Sequence, residues 1–211
     1  MGMREDREAI CAYETTKGLR GITPEDVFIG NGVSEVVSFA LLPLIGPGDE
    51  VLVPTPSYSL WGNSVHIAGG TPVFYRCDEL SDWYPDTEDI RKNITSRTKA
   101  IVVINPNNPT GALYPWEILE EIVRIAEEHE LLIFADEIYD RLVMDGLEHI
   151  SIGSLARDLL HHTHILLVPG SGFDWKQPDH FRIVMLPEVE ELRMAMRRMG
   201  EFLDGYCQKR R

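Results

Sequence analysis

The chain has 211 residues, of which 44% are hydrophobic and 26% charged, an ordinary globular balance that excludes disordered, collagen-like and coiled-coil classes. Acids outnumber bases by 34 to 20, a net charge of −14, which argues against a generic binder of nucleic acid or anionic membrane, since phosphate binding needs a basic footprint. No apolar run reaches the length of a membrane span. The opening Met1-Gly2-Met3-Arg4-Glu5-Asp6 is too acidic for a signal peptide, and Asp6 breaks the myristoylation pattern. Cys11, Cys77 and Cys207 are far apart and odd in number, so no disulfide framework is expected and a reducing cytoplasm is the expected setting.

In chain order, residues 4–18 read as a helix ending near Gly18, and Val27-Phe28-Ile29 as a short strand. Gly30-Asn31-Gly32-Val33-Ser34 then leads into a helical run carrying Val36, Val37, Phe39, Ala40, Leu41 and Leu44. After the turn Pro47-Gly48-Asp49 comes a strand, Glu50 to Val53, closed by Pro54 and Pro56. A helix is expected from Tyr58 to Ala68, ended by Gly69-Gly70, followed by a strand at Pro72 to Tyr75 and a short helix from Asp86 to Ile94. The two clearest strands are Ala100 to Ile104 and Leu131 to Ala135, with an amphipathic helix over residues 115–129 between them. Continuous apolar strands alternating with helices predict an α/β fold: a mostly parallel sheet covered on both faces by helices.

Beyond residue 160 the character changes. His164 to Val168 and Phe181 to Leu186 read as strands, and a last helix after Pro187 carries Val189, Leu192, Met196, Met199, Leu203 and Tyr206 as one apolar stripe, read as core packing. Two domains are expected: a larger one over residues 1–160 and part of a small C-terminal α/β domain over 161–211.

Ligands of an open parallel sheet bind beyond the carboxyl ends of its strands. Four loops fall there. Gly32-Val33-Ser34 opens a helix whose N–H groups suit a phosphate, although a plain turn and cap has the same composition. Tyr58, in Pro56-Ser57-Tyr58, can stack on a planar ligand or simply pack. Asn105-Pro106-Asn107-Asn108-Pro109-Thr110-Gly111 is a proline-stiffened loop that aims asparagine amides. Asp136 heads Asp136-Glu137-Ile138-Tyr139, and a carboxylate at a buried strand end needs a partner unless it caps a helix. Together the four describe a site for a phosphorylated aromatic cation.

The motifs GNGVSE (30–35), PSYSLW (56–61), INPNNPTG (104–111), FADEIYD (134–140) and PDHFRIV (178–184) resemble the class I/II aminotransferases, fold-type I enzymes of pyridoxal 5′-phosphate (PLP), and among them the alanine (glutamate–pyruvate) transaminase branch. The resemblance runs in order through nearly the whole chain. It implies the large domain of a PLP-dependent transferase, incomplete, plus part of the small domain. It implies that Gly32, Val33 and Ser34 hold the coenzyme phosphate, that Tyr58 stacks on the ring, and that Asn108 and Tyr139 bond the ring hydroxyl oxygen. It further implies that Asp136 pairs with the ring nitrogen and Arg182 grips the substrate carboxylate. An amino acid and a 2-oxo acid are the implied partners, and the family's homodimer is doubtful for this chain.

The family also needs a Schiff-base lysine in a Ser-x-Ser-Lys motif, and the expectation is that this chain lacks it. The five lysines are Lys17, Lys92, Lys99, Lys176 and Lys209. Lys99 sits at the amino end of its strand, Lys176 belongs to the C-terminal region, and the others fall on helices or a tail, so no lysine is expected on the ligand edge. The chain therefore looks shortened and internally deleted, with the segment between the two domains missing and self-association or poor folding as a consequence. Transaminase activity is expected to be lost or impaired. The alternatives are a fragment that holds PLP or binds nothing, a related PLP lyase of carbon–sulfur bonds, and a metal site at His161, His162 and His164, the last disfavoured for lack of a nearby carboxylate.

Overall fold

Strand-forming residues and helix-forming residues alternate along the chain, and the resulting sheet is layered as that alternation demands. The structure, a computed structural model, describes residues 3–155 and the backbone of 166–169. The chain divides into two compact units, Met1–Asp174 and Trp175–Arg211, and every described residue belongs to the first. The boundary expected at residue 160, the histidine cluster, Lys176, Arg182, the strand expected at 181–186 and the final helix lie outside the described residues.

The helices are α1 (Arg4–Thr16), α2 (Val33–Leu41), α3 (Leu60–Ile67), α4 (Thr87–Asn93), α5 (Trp116–Glu128) and α6 (Ile152–Leu155). The strands are β1 (Glu50–Thr55), β2 (Thr71–Asp78), β3 (Tyr84–Pro85), β4 (Thr98–Ile104), β5 (Leu132–Glu137) and β6 (Leu166–Pro169), in the sheet order β3-β2-β1-β4-β5-β6. All pairs are parallel except β2 with the two-residue β3. This is the expected α/β class. Among the described residues, no helix is long and apolar enough to cross a membrane.

Successive strand residues point to opposite faces, and the core divides accordingly. Leu52, Tyr75, Ile101, Val103, Ile133 and Ala135 pack on one face with Ile90 of α4 and Leu119, Ile122 and Ile125 of α5. Val51, Val53, Ala100, Val102, Ile104 and Phe134 pack on the other with Val37 and Leu41 of α2 and Trp61 and Val65 of α3. Each fully buried Leu, Ile or Val contributes roughly 1.5–3 kcal/mol relative to leaving it in water. The same alternation sends Asp136, two residues after Phe134, to the α2/α3 face and Glu137 to the α5/α6 face.

The elements differ from the sequence expectations at several places: the sequence predicts neither β3 nor α6, and α2 ends at Leu41, short of Leu44. Val27-Phe28-Ile29 forms no strand; Val27 is extended and buried, and Phe28 is 65% exposed. Three apolar residues make a strand only beside another strand, and here the chain instead follows a capped 3-10 turn at Pro24–Asp26. Strand β1 runs through Pro54, which faces Tyr75 in the ladder, so that proline does not close the strand. Helix α3 starts at Leu60, leaving Tyr58 in the loop. Gly18 ends α1 with φ +97°, and a Cβ there would come within 3.0 Å of the Ser154 Cβ, so both backbone and packing call for glycine.

Candidate functional site

The carboxyl ends of β1, β4 and β5 each feed a loop that the sequence singled out, and hydrogen bonds tie these loops together. The backbone N–H of Tyr58, after β1, donates to the Asn108 carbonyl, after β4, at 2.7 Å. The Asn105 N–H donates to the Asp136 carbonyl of β5 at 3.0 Å. The Asn108 amide reaches the Tyr139 hydroxyl at 3.5 Å, and the Trp61 indole N–H donates to Asp136 Oδ2 at 2.8 Å. Tyr58, Asn108, Tyr139 and Asp136 thus share one rim of the sheet.

Composition alone does not separate the three asparagines of the proline loop, but the structure does. Asn105 and Asn107 are buried and serve the loop itself. Asn105 Oδ1 accepts the Tyr114 N–H at 2.9 Å, Asn107 Oδ1 accepts the Thr110 hydroxyl at 3.0 Å, and the Asn107 amide donates to the Tyr114 hydroxyl at 3.1 Å. Asn108 is half-buried and presents its amide toward Tyr139. Tyr58 is 40% exposed.

Gly32, Val33 and Ser34 open α2, whose first N–H groups have no partner within the helix. Gly32 has φ +92°, and open space lies where its Cβ would be, so the backbone there is approachable. Glu35 accepts the Asn31 N–H and closes the turn in front of the helix. Helix α2 packs against α3 and β6 on the Asp136 face of the sheet. Among the described residues, no hydrogen bond joins Gly32, Val33 or Ser34 to the other three loops, so their membership of the site rests on this packing.

Asp136 is 6% exposed. Burial pushes its carboxyl upward, opposed by the Trp61 indole and the Ile138 N–H, while neighbouring Glu137 adds to the rise. Both donors to Asp136 are neutral, and among the described residues no cationic side chain lies within ion-pair distance of it. An opposite charge brought to a buried carboxylate in that position would favour its ionised form. Trp61, named in the PSYSLW motif but given no role by the sequence, is therefore part of the site. Its one available signal was its place one helical turn beyond Tyr58.

Lys17 corrects one expectation. It caps the end of α1, and its ammonium reaches Glu137, the last residue of β5, at 3.0 Å, Asp140 at 3.1 Å and Glu14 at 2.9 Å. A lysine does therefore approach the carboxyl rim, from partners more than a hundred residues away that no local pattern signals. It approaches on the Glu137 face, opposite Asp136. Burial lowers its proton affinity, but the carboxylates of Glu137 and Glu14 outweigh that and hold the ammonium above an ordinary lysine. Lys99 is at the amino end of β4, as expected.

His149 completes this cluster. Its Nε2–H donates to the Asn105 carbonyl at 3.1 Å, and burial lowers its pKa below the usual 6.5, against Glu137. A histidine that protonates less readily folded than unfolded leaves stability intact above about pH 6.5 and removes it as the pH falls toward the folded value. The expected result is a melting temperature that drops as the pH falls below about 6.5, a drop reduced in His149→Gln; calorimetric scans on both sides of that pH read it directly.

The sequence profile of the aminotransferase class I and II family matches residues 2–157. The chain belongs to the class I and II aminotransferases. It is 54% identical over 159 residues to the glutamate–pyruvate aminotransferase AlaA of Escherichia coli, covering 75% of this chain and 39% of that protein. It is 51% identical over 154 residues to the alanine aminotransferase of Mycobacterium tuberculosis, covering 73% and 36%. An aminotransferase crystal structure from E. coli superposes with a TM-score of 0.73 at 54% identity over 74% of this chain and 38% of that one. An alanine aminotransferase from Pyrococcus furiosus gives 0.70 at 52% identity over 73% and 39%. The chain spans about two fifths of the length of the curated relatives it matches. These aminotransferases depend on PLP, and the sheet described above is a partial version of their fold.

Proposed function

We propose that this chain carries the coenzyme-binding part of an aminotransferase exchanging an amino group between alanine and 2-oxoglutarate, and that alone it holds PLP without catalysing the exchange. The observation that carries this reading is the joining of three loops at one rim around Asp136, a buried carboxylate with no cationic partner among the described residues. A pyridinium N–H would supply an opposite charge there, and the open approach at Gly32 suits a phosphate on α2. The residues present thus fit the coenzyme.

Gly32, Val33 and Ser34 would hold its phosphate and Tyr58 its ring face. When bound, PLP supplies an electron sink for charge developing at the substrate Cα. Asp136, ionised, keeps a proton on the ring nitrogen, because an opposite charge favours the charged form. Asn108 and Tyr139 donate to the ring oxygen and stabilise its negative charge. Arg182, a planar fork matched to a carboxylate, would grip the substrate. The amino acid and 2-oxo acid are the small-molecule partners, and a reducing cytoplasm is the proposed setting.

No Ser-x-Ser-Lys segment is present in the sequence. Lys17 is no substitute: its ammonium is held protonated among three carboxyl groups, and a protonated amine is not a nucleophile. Incubation with PLP, borohydride reduction and peptide mapping test both halves of the proposal. The expected result is saturable uptake with no single lysine labelled in stoichiometric yield and no turnover of alanine with 2-oxoglutarate. A stoichiometrically labelled lysine accompanied by turnover overturns the second half; absence of uptake overturns the first.

A further inference from the structure

One segment of chain serves two other loops. The Tyr58 N–H bonds the Asn108 carbonyl, and one turn later the Trp61 indole N–H bonds Asp136 Oδ2 at 2.8 Å. Trp61 is fully buried, its ring packed 5.7 Å from that of Phe134, with an angle of 42° between the planes. Phe134 and Asp136 share a face of β5, so the aromatic contact and the hydrogen bond fix the indole from two sides.

We propose that Trp61 is a positioning residue for the coenzyme: its indole N–H holds the Asp136 carboxylate ionised and oriented toward the pyridine nitrogen. The inference rests on the PLP reading above. Its chemistry is specific to the indole. Burial favours the neutral carboxylic acid at Asp136, and an acid without charge cannot keep a pyridinium protonated. A donor to the carboxylate opposes that tendency. Indole N–H donates only, and carries neither charge nor a titratable proton near neutral pH. Trp61 therefore stabilises the anion without neutralising it, and the charge remains for the ring nitrogen. A lysine or arginine in its place would pair with Asp136 and compete with the coenzyme. The Ile138 N–H, at 3.4 Å from Oδ1, is the weaker second donor, and Glu137 beside it contributes a like charge that acts against ionisation. Tyr58 and Trp61 being on one segment, the group read as the ring stacker and the group that prepares the ring's counter-ion are placed by the same turn of chain.

The test compares the full chain with Trp61→Phe, which keeps an aromatic ring beside Phe134 and removes only the donor. Carbon-13 carboxyl NMR follows the Asp136 titration without coenzyme, and pyridoxamine 5′-phosphate binding is measured separately. The expected result in Trp61→Phe is about tenfold tighter proton binding at Asp136, an upward move of about one pH unit in its midpoint. Binding of pyridoxamine 5′-phosphate weakens by up to about tenfold at pH values below the Asp136 midpoint, and the deficit shrinks as the pH rises and Asp136 ionises in both proteins. An unchanged Asp136 midpoint in a folded Trp61→Phe overturns the proposal, because a merely structural tryptophan would leave it alone. If the unsubstituted chain does not bind pyridoxamine 5′-phosphate, the coenzyme reading fails, and the midpoint comparison still decides what Trp61 does to Asp136. If Trp61→Phe does not fold, the indole N–H resonance of the unsubstituted chain decides: movement in step with the Asp136 titration supports the bond, and indifference to it overturns the proposal.

Discussion

Replacing Asp136 by asparagine is expected to weaken coenzyme binding by about 2–5 kcal/mol, roughly thirty- to several-thousand-fold. Asparagine has nearly the shape of the aspartate and its carbonyl oxygen still accepts from the Trp61 indole, so the fold is expected to survive. What is lost is the charge. Asp136 is buried at the end of β5, its two donors are neutral, and its partner in the proposed complex is a ring cation. Fluorescence titration with pyridoxamine 5′-phosphate, alongside a thermal melt of the same variant, separates affinity from stability. Equal affinity in the two proteins would mean that Asp136 does not face the coenzyme.

Lys17→Met is expected to cost about 3–5 kcal/mol of folding stability, the loss seen when one partner of a buried ion pair is removed. That is a large part of the roughly 5–15 kcal/mol that separates folded from unfolded domains. The reason is the company Lys17 keeps. Glu14, Glu137 and Asp140 all approach its ammonium within 3.1 Å, and the other Glu14 oxygen, Oε1, is buried with no hydrogen-bond partner among the described residues. Without the cation these carboxyl groups repel one another in a poorly hydrated space. The cluster also joins α1 to the turn that carries Tyr139, with Tyr13 donating to Asp140 at 2.9 Å, so the same change should loosen the rim. Urea unfolding measures the effect, and adding Glu137→Gln to Lys17→Met should recover part of it. A loss below about 1 kcal/mol would show that the ion cluster is solvated in solution.

The sheet was legible because its signals are local. Ala100 to Ile104 and Leu132 to Ala135 are apolar on both sides, as strands covered on two faces must be, and α5 carries its apolar residues at helical spacing. Val27-Phe28-Ile29 had the same composition but no neighbouring strand, a fact of tertiary structure invisible in three residues. The candidate site was legible where backbone chemistry marks it: Gly32 with its positive φ, the two prolines framing Asn107-Asn108, and Asp136 closing an apolar strand. Its supporting groups were not. Trp61 reads as an ordinary core residue of α3 until its N–H is seen on Asp136. Lys17 reads as a surface residue at a helix end, because Glu137 and Asp140, its partners, are 120 and 123 positions away. Side chains that act across the fold leave no pattern in their own neighbourhood.

The central claim is that four loops of this chain form one coenzyme pocket, and amide NMR of the isotope-labelled full chain during titration with pyridoxamine 5′-phosphate tests it most directly. This ligand has no aldehyde, so it does not mark lysines indiscriminately. The account predicts that resonances of Ser34, Tyr58, Asn108 and Asp136 move together and saturate with one dissociation constant. Shifts scattered over the surface, or confined to one of these loops, would contradict it.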